Sequence, residues 1–157
     1  MDGRSRPSGR CGFGSIRVIN IKAIDHVVFR AVDLERMVRF YIDVLGARWE
    51  KKQEAIGLYQ LRVGTALIDL VPVDGKLGAM GGAAPGREGR NVDHVCFRVL
   101  PWDGDSILAH LAAHGLGGEI VSRYGAEGAG PSIYLEDPEG NALELKGPPW
   151  ASIPDRA

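Results

Sequence analysis

An internal repeat is the feature that most restricts how this chain of 157 residues folds. Residues 25–30 (DHVVFR) return as residues 93–98 (DHVCFR), with five of six positions identical. Both copies have the apolar pattern of a partly buried strand, and each precedes a helical pattern at the same distance. Self-similarity over this spacing indicates two copies of one supersecondary unit. The repeat therefore predicts a duplicated module.

Each copy of the strand is followed by a helical pattern that ends at a glycine. Apolar residues recur at helical spacing over residues 34–45, Asp33 stands at the N-cap, and Gly46 follows. The second pattern covers residues 106–114 and ends at Gly115, where a left-handed residue belongs.

Three short strands are predicted after each helix. They cover residues 48–53, 58–63 and 66–73 in the first half and 119–123, 132–136 and 142–146 in the second. The glycine-rich residues 125–131 are predicted to form a loop between two of these strands. The pattern predicts an α+β fold of paired βαβββ modules.

The domain organisation follows from these boundaries. We expect a mobile leader at residues 1–20 and a C-terminal tail at 148–157. Between them lie the two modules, about residues 21–73 and 92–147, joined by a glycine-rich loop at 74–91.

Composition excludes several classes of partner. Lys and Arg number 19 against 20 Asp and Glu, so no broad basic surface is available for nucleic acid. No apolar run approaches the roughly 20 residues that cross a bilayer. Cys11 and Cys96 lie far apart, and the first residues lack an apolar export signal, so we expect a reduced, cytoplasmic protein.

The duplication also predicts a metal site. His26 and His94 occupy equivalent positions, and Asp69 and Glu144 each lie between aliphatic residues in the last strand of a module. Burying a carboxylate costs several kcal/mol unless a cation or hydrogen bonds compensate it. His26, His94 and Glu144 are predicted ligands; for Asp69, ligation and a solvent-facing position both stay open. Such ligands suit one divalent ion: Ni, Zn, Co, Mn or Fe(II).

Other candidate residues have ordinary explanations. His110 and His114 lack a companion Glu and are expected at the surface, and Cys96 is expected to be an inert core thiol. Three cationic residues have two possible roles: each either meets an anionic substrate or is a solvated charge at the end of a strand. They are Arg30, Arg98 and Lys146. The residues on strands expected to border the cavity are Tyr59, Arg123 and Tyr134.

Four motifs together resemble the vicinal oxygen chelate superfamily over about residues 21–147. They are DHV at 25–27, FYxxxLG at 40–46, DHV at 93–95 and DPEGNxLE at 137–144. The superfamily includes glyoxalase I, methylmalonyl-CoA epimerase, extradiol dioxygenases, fosfomycin resistance enzymes and bleomycin-binding proteins. The resemblance implies paired βαβββ modules that form an open, cupped sheet around a divalent metal, commonly in a homodimer.

The resemblance also implies ligands. Glyoxalase-like members use four, which fall here on His26, Asp69, His94 and Glu144, although Asp69 stands where Glu or Gln is usual. Dioxygenase-like and fosfomycin-type members use only the two His and the final Glu. Val28 stands where fosfomycin transferases have threonine, which argues against that chemistry.

The expected function is a glyoxalase-type lyase or isomerase that acts on a small molecule through a metal-stabilised enediolate. The resemblance to glyoxalase I implies that Glu144 is the catalytic base. The alternatives are an extradiol-type dioxygenase and a non-catalytic protein that binds a drug or toxin. Fold is predicted far better than reaction by such a resemblance.

Overall fold

A computed structural model of the chain describes residues 21–150. The predicted leader at 1–20 and most of the predicted tail lie outside the described residues. Within residues 21–150, no helix is long and apolar enough to span a membrane.

The first module has the predicted βαβββ order. Strand β1 (His26–Ala31) leads into helix α1 (Leu34–Arg39), which continues as a π-helical segment (Phe40–Val44). Its remaining strands are β2 (Arg48–Gln53), β3 (Leu58–Val63) and β4 (Ala66–Pro72). Asp33 caps the helix by accepting a hydrogen bond from Arg36 N at 2.9 Å, as predicted. Gly46 follows it with a positive φ of 69°.

The second module repeats this order. Strand β5 (His94–Arg98) is followed by helix α2 (Gly104–Ala113), and then by β6 (Val121–Gly125), β7 (Gly128–Glu136) and β8 (Ala142–Lys146). Gly115 ends the helical region with a φ of 74°. Asp103 caps α2 through Ser106 N at 3.1 Å.

Each module forms one four-stranded mixed sheet. The strand orders are β1-β4-β3-β2 and β5-β8-β7-β6, so the repeated strands β1 and β5 each lie at a sheet edge. In both sheets the repeated strand pairs in parallel with the last strand of its module. Val28 lies opposite Asp69 and Cys96 lies opposite Glu144, so the two registers are equivalent. The predicted α+β fold of two βαβββ modules is confirmed.

One hydrophobic core contains side chains from both modules. Tyr41, Leu61 and Ile68 of the first module and Leu111 and Leu143 of the second are almost fully buried in it. Strand side chains alternate between faces, so the neighbours of these core residues point to the opposite face of each sheet. That opposite face carries the candidate site residues.

Two predicted segments differ from the structure. The predicted loop at 125–131 is a hairpin, because β6 and β7 extend through it and pair up to Gly125 and Gly128. Glycine at these positions suits the tight turn, and Gly128 has a φ of 121°. The linker at 74–91 contains a short 3-10 helix (Gly78–Gly81).

Candidate functional site

A histidine and a buried carboxylate face each other in the second module. His94 Nε2 lies 3.1 Å from Glu144 Oε2, and His94 Nδ1 lies 2.8 Å from a carboxylate oxygen of Asp93. Glu144 is 5% exposed. If Nδ1–H donates to Asp93, the neutral ring presents the lone pair of Nε2 to a negative oxygen. Such a contact is favourable only with a proton or a cation between the two atoms.

Neighbouring side chains keep Glu144 ionised. Burial alone would raise its pKa, but hydrogen bonds to the carboxylate outweigh burial and lower the pKa from its usual value. The first of these donors is Ser132, whose Oγ lies 2.5 Å from Glu144 Oε1. An ionised, buried carboxylate is a strong ligand for a divalent cation.

The first module has a histidine and a buried carboxylate at the equivalent positions, but His26 and Asp69 do not form an ion pair as His94 and Glu144 do. His26 Nδ1 lies 2.7 Å from Asp25 Oδ1, which leaves Nε2 available as in His94. Its pKa is raised, mainly by the hydrogen bond with Asp25 and, to a smaller extent, by the charge of Asp69. Asp69 is 3% exposed and accepts from Gln60 Nε2 at 3.1 and 3.3 Å. Its carboxylate is buried, as one of the two predicted alternatives requires.

The four predicted ligands therefore form two half-sites, defined here as His26 with Asp69 and His94 with Glu144. Within residues 21–150, no group of three metal-binding side chains comes together. The donor chemistry of each half-site nevertheless fits a metal. In both, a carboxylate fixes the ring through Nδ1, which is the arrangement that commonly orients a metal-binding imidazole.

Cys96, which lies beside the second half-site, differs from its prediction. Cys96 is exposed on the site face and is no core thiol, because strand alternation places its neighbours Val95 and Phe97 against the core. Burial and the charge of Glu144 raise the pKa of its thiol to about 11.

Tyr134 lies beside the second half-site, since its ring is 5.6 Å from that of His94, and the Arg123 guanidinium lies over the Tyr134 ring at 5.7 Å. Neither side chain lines the cavity next to His94 and Glu144. Tyr59 packs against the core instead. His110 and His114 are exposed and bond to backbone carbonyls, as expected of surface residues.

Two residues of the site were absent from the sequence-based set. Ser132 and Gln60 hold the buried carboxylates, and each is a polar residue within a largely apolar strand. That pattern is the only signal that the sequence offers for either of them.

A cavity of about 330 Å³ lies beside the second half-site. His94 and Glu144 line this cavity, together with residues of the β6–β7 hairpin. The cationic side chains in its wall are Arg98 and Lys146. The half-site thus opens onto a space that admits a small molecule.

Solved structures with similar folds include three with informative descriptions. A virulence protein from Salmonella typhimurium is 25% identical, with a TM-score of 0.68 over 83% of this chain and 99% of that one. A lactoylglutathione lyase from Agrobacterium tumefaciens is 23% identical, with a TM-score of 0.60 over 82% and 95%. A fosfomycin resistance protein from Listeria monocytogenes is 17% identical, with a TM-score of 0.60 over 81% and 91%. The last two likenesses show the fold alone.

No curated protein sequence matches the chain significantly. The profile of the Glyoxalase/Bleomycin resistance protein/Dioxygenase superfamily matches residues 23–145, which include both modules and both half-sites. This match covers most of the chain, and the duplicated βαβββ fold agrees with it. The chain belongs to the glyoxalase/bleomycin resistance protein/dioxygenase superfamily.

Proposed function

We propose that the protein is a metal-dependent lyase or isomerase of the glyoxalase type, acting on a small substrate with two neighbouring oxygens. The observation that carries the proposal is the contact of 3.1 Å between His94 Nε2 and Glu144 Oε2. Asp93 orients the ring and Ser132 orients the carboxylate, so both donors are held for one cation.

A second copy of the chain would supply the remaining ligands. Each half-site offers one imidazole and one carboxylate, whereas a metal centre of this kind needs three or four protein ligands. Strands β1 and β5 are sheet edges with unpaired backbone groups. Val28, beside the first half-site, is 48% exposed. A homodimer in which the first half-site of one protomer faces the second half-site of its partner would complete two equivalent centres.

Each residue of the site has a separate role in the proposed reaction. When bound, a divalent ion supplies a Lewis acid that withdraws charge from two substrate oxygens. His26, His94 and Glu144 would hold the ion, and Asp69 would either join them or keep its hydrogen bond with Gln60. Glu144 would accept the proton from the carbon next to the substrate carbonyl, because it is ionised and buried beside the cavity. It would then return this proton to the former carbonyl carbon, so that the isomerisation has no net gain or loss of a proton. Ser132 keeps its carboxylate aimed at the cavity.

Metal content tests the proposal directly. We expect the protein, purified without chelators, to hold about one divalent ion per chain, and His94→Ala to hold almost none. His114→Ala is the matched control, because His114 is exposed and bonds to a backbone carbonyl of α2. Elemental analysis of the three preparations for Ni, Zn, Co, Mn and Fe gives the comparison.

Activity then separates the reaction classes. The metal-loaded protein should convert a hemithioacetal of an α-ketoaldehyde or epimerise an acyl-CoA ester, and Glu144→Gln should abolish that activity. Absence of metal from all three preparations would overturn the proposal and favour a non-catalytic binding protein.

The contact between Gln60 and Asp69 favours a second candidate function. If Gln60 keeps Asp69 off the metal, the ligands are two histidines and one carboxylate, the set found in non-haem Fe(II) oxygenases. This alternative, an extradiol-type dioxygenase, predicts Fe or Mn in the purified protein, oxygen uptake with catechols, and little effect of Asp69→Ala. A strong loss of metal in Asp69→Ala would contradict it.

A further inference from the structure

Lys146 is a buried cation that has no anionic partner among residues 21–150. The residue is 9% exposed and lines the cavity beside the second half-site. Within residues 21–150, none of the salt bridges includes it. Its Nζ donates to Arg123 O at 2.7 Å, while its contacts with Ser132 Oγ and Gly130 O are long, at 3.4 and 3.5 Å. Burying an ammonium this way is costly unless a negative group compensates the charge.

The first module shows that the fold does not require this charge. Lys146 lies opposite Arg98 in the β5–β8 register, and the equivalent pair in the first module is Val71 opposite Arg30. Val71 is an ordinary buried aliphatic residue at 5% exposure. The lysine therefore belongs to the second half-site alone.

Space for the lysine is made by a glycine. A Cβ at position 125 would lie 2.5 Å from Lys146 Cε, so a larger residue in the β6–β7 hairpin would displace the side chain. The hairpin thus accommodates the lysine where it borders the cavity.

The two equivalent arginines also differ in their partners. Arg30 is held by backbone carbonyls of the linker, with hydrogen bonds to Gly78 O, Gly82 O and Ala83 O. Arg98 instead pairs with Glu127 at the hairpin turn, at 2.5 Å, and both side chains are about half exposed. A solvated ion pair of this kind contributes little stability, so an incoming anion can replace Glu127 at low cost.

We propose that this cavity binds a carboxylate group of the substrate, held by Lys146 and Arg98, so that the substrate is a small oxygenated organic acid. The inference rests on the proposed function in one respect: the neighbouring oxygens of the same molecule reach the metal at His94 and Glu144. A carboxylate compensates the buried ammonium and pairs with the guanidinium in two-point geometry. The cavity of about 330 Å³ limits the acid to a small molecule.

Binding of a simple acid and its neutral analogue tests the proposal. We would titrate the full-length protein, both metal-loaded and after removal of the metal by chelation, with pyruvate and with methyl pyruvate, which keeps the carbon skeleton and the keto oxygen but lacks the charge. A preference for pyruvate in the metal-free protein cannot come from chelation of the metal. Amide NMR signals of the β6–β7 hairpin, such as Gly125 and Gly128, report binding without any need for turnover. Wild-type protein should bind pyruvate at least about tenfold more tightly than the ester.

Variants that remove a positive charge from the cavity test whether the cavity causes the preference for pyruvate over the ester. Lys146→Met should weaken pyruvate binding by about tenfold or more and leave binding of the ester unchanged. Arg98→Gln, at an exposed position that does not endanger folding, should weaken it in the same sense. Lys51→Met, an exposed charge on β2, is the matched control and should bind pyruvate as the wild type does.

The outcomes separate this inference from the proposed function. Equal binding of pyruvate to the wild type and to both cavity variants overturns the carboxylate assignment, even if the metal is fully present. Inorganic phosphate that binds the same cavity more tightly than pyruvate overturns it in favour of a phosphoryl group. Charge-dependent pyruvate binding by a protein that never acquires a metal supports the anion site and overturns only the proposed metal enzyme.

Discussion

Glu144 influences the hydrogen bonding and the pKa values of the side chains around it on the site face. This one buried carboxylate accepts a hydrogen bond from Ser132 and contacts His94, and after burial it is the main cause of the raised pKa of Cys96. Although Cys96 is exposed, we expect it to react slowly, because only a thiolate is a nucleophile and both partial burial and the neighbouring negative charge disfavour the thiolate. The identity of the residue alone would predict the opposite for an exposed cysteine.

The rate of alkylation tests the expected low reactivity of Cys96. In a Cys11→Ser background and with the metal removed by chelation, iodoacetamide should modify Cys96 at pH 8 about tenfold more slowly than an unperturbed thiol. A pKa of about 11 lowers the thiolate fraction about a hundredfold, and the greater nucleophilicity of the thiolate recovers part of the loss. Glu144→Gln should accelerate the reaction, whereas Glu119→Gln, at an exposed position, should not. A rate equal to that of a free thiol would contradict the described geometry.

At the scale of elements, the turn between β7 and β8 connects the two modules. Tyr41 OH donates to Asp137 Oδ2 at 3.2 Å, and both residues are buried. In the same turn, Glu139 accepts from the backbone N–H groups of Val32 and Asp33, at the start of α1. The DPEG motif of the second module and the FY motif of the first thus contact each other. Both motifs have a structural role in this fold.

Removal of one hydroxyl tests this connection. Tyr41→Phe should lower the free energy of unfolding by about 1–3 kcal/mol, because Asp137 loses a buried hydrogen-bond donor. Urea unfolding followed by circular dichroism measures the change. Tyr124→Phe is the control, since Tyr124 is 86% exposed and should leave stability within about 0.5 kcal/mol. Equal stability of the two variants would show that the turn does not stabilise the contact between modules.

At the scale of the whole molecule, the two half-sites of one chain do not form a group of three ligands within the described residues. The duplication nevertheless places the same donor pair in each module, on the face opposite the shared core. Two-fold association is the simplest way to bring unlike half-sites together, because one symmetric contact creates both centres.

Mixing of complementary variants tests this arrangement. A chain with His26→Ala and Asp69→Ala lacks the first half-site, and a chain with His94→Ala and Glu144→Ala lacks the second. Neither variant alone should bind the metal, but a co-expressed heterodimer should regain one of its two centres, measured by elemental analysis after tandem affinity purification. Heterodimers that remain free of metal would show that each centre is built within one chain.

The sequence by itself determined the module, its duplication and the equivalent positions of Asp69 and Glu144, but it left open whether Asp69 faces solvent. Residues 25–30 and 93–98 repeat, and the helices that follow them end before Gly46 and Gly115. Strand alternation around Asp69 and Glu144 places each carboxylate on the face opposite its aliphatic neighbours. These are local properties, because strand and helix periods are set by the backbone. Only the tertiary structure decided that the half-sites are separate and that Lys146 is buried without a carboxylate partner in the part of the chain described. Those facts depend on how distant segments pack, and sequence spacing carries no direct record of such contacts.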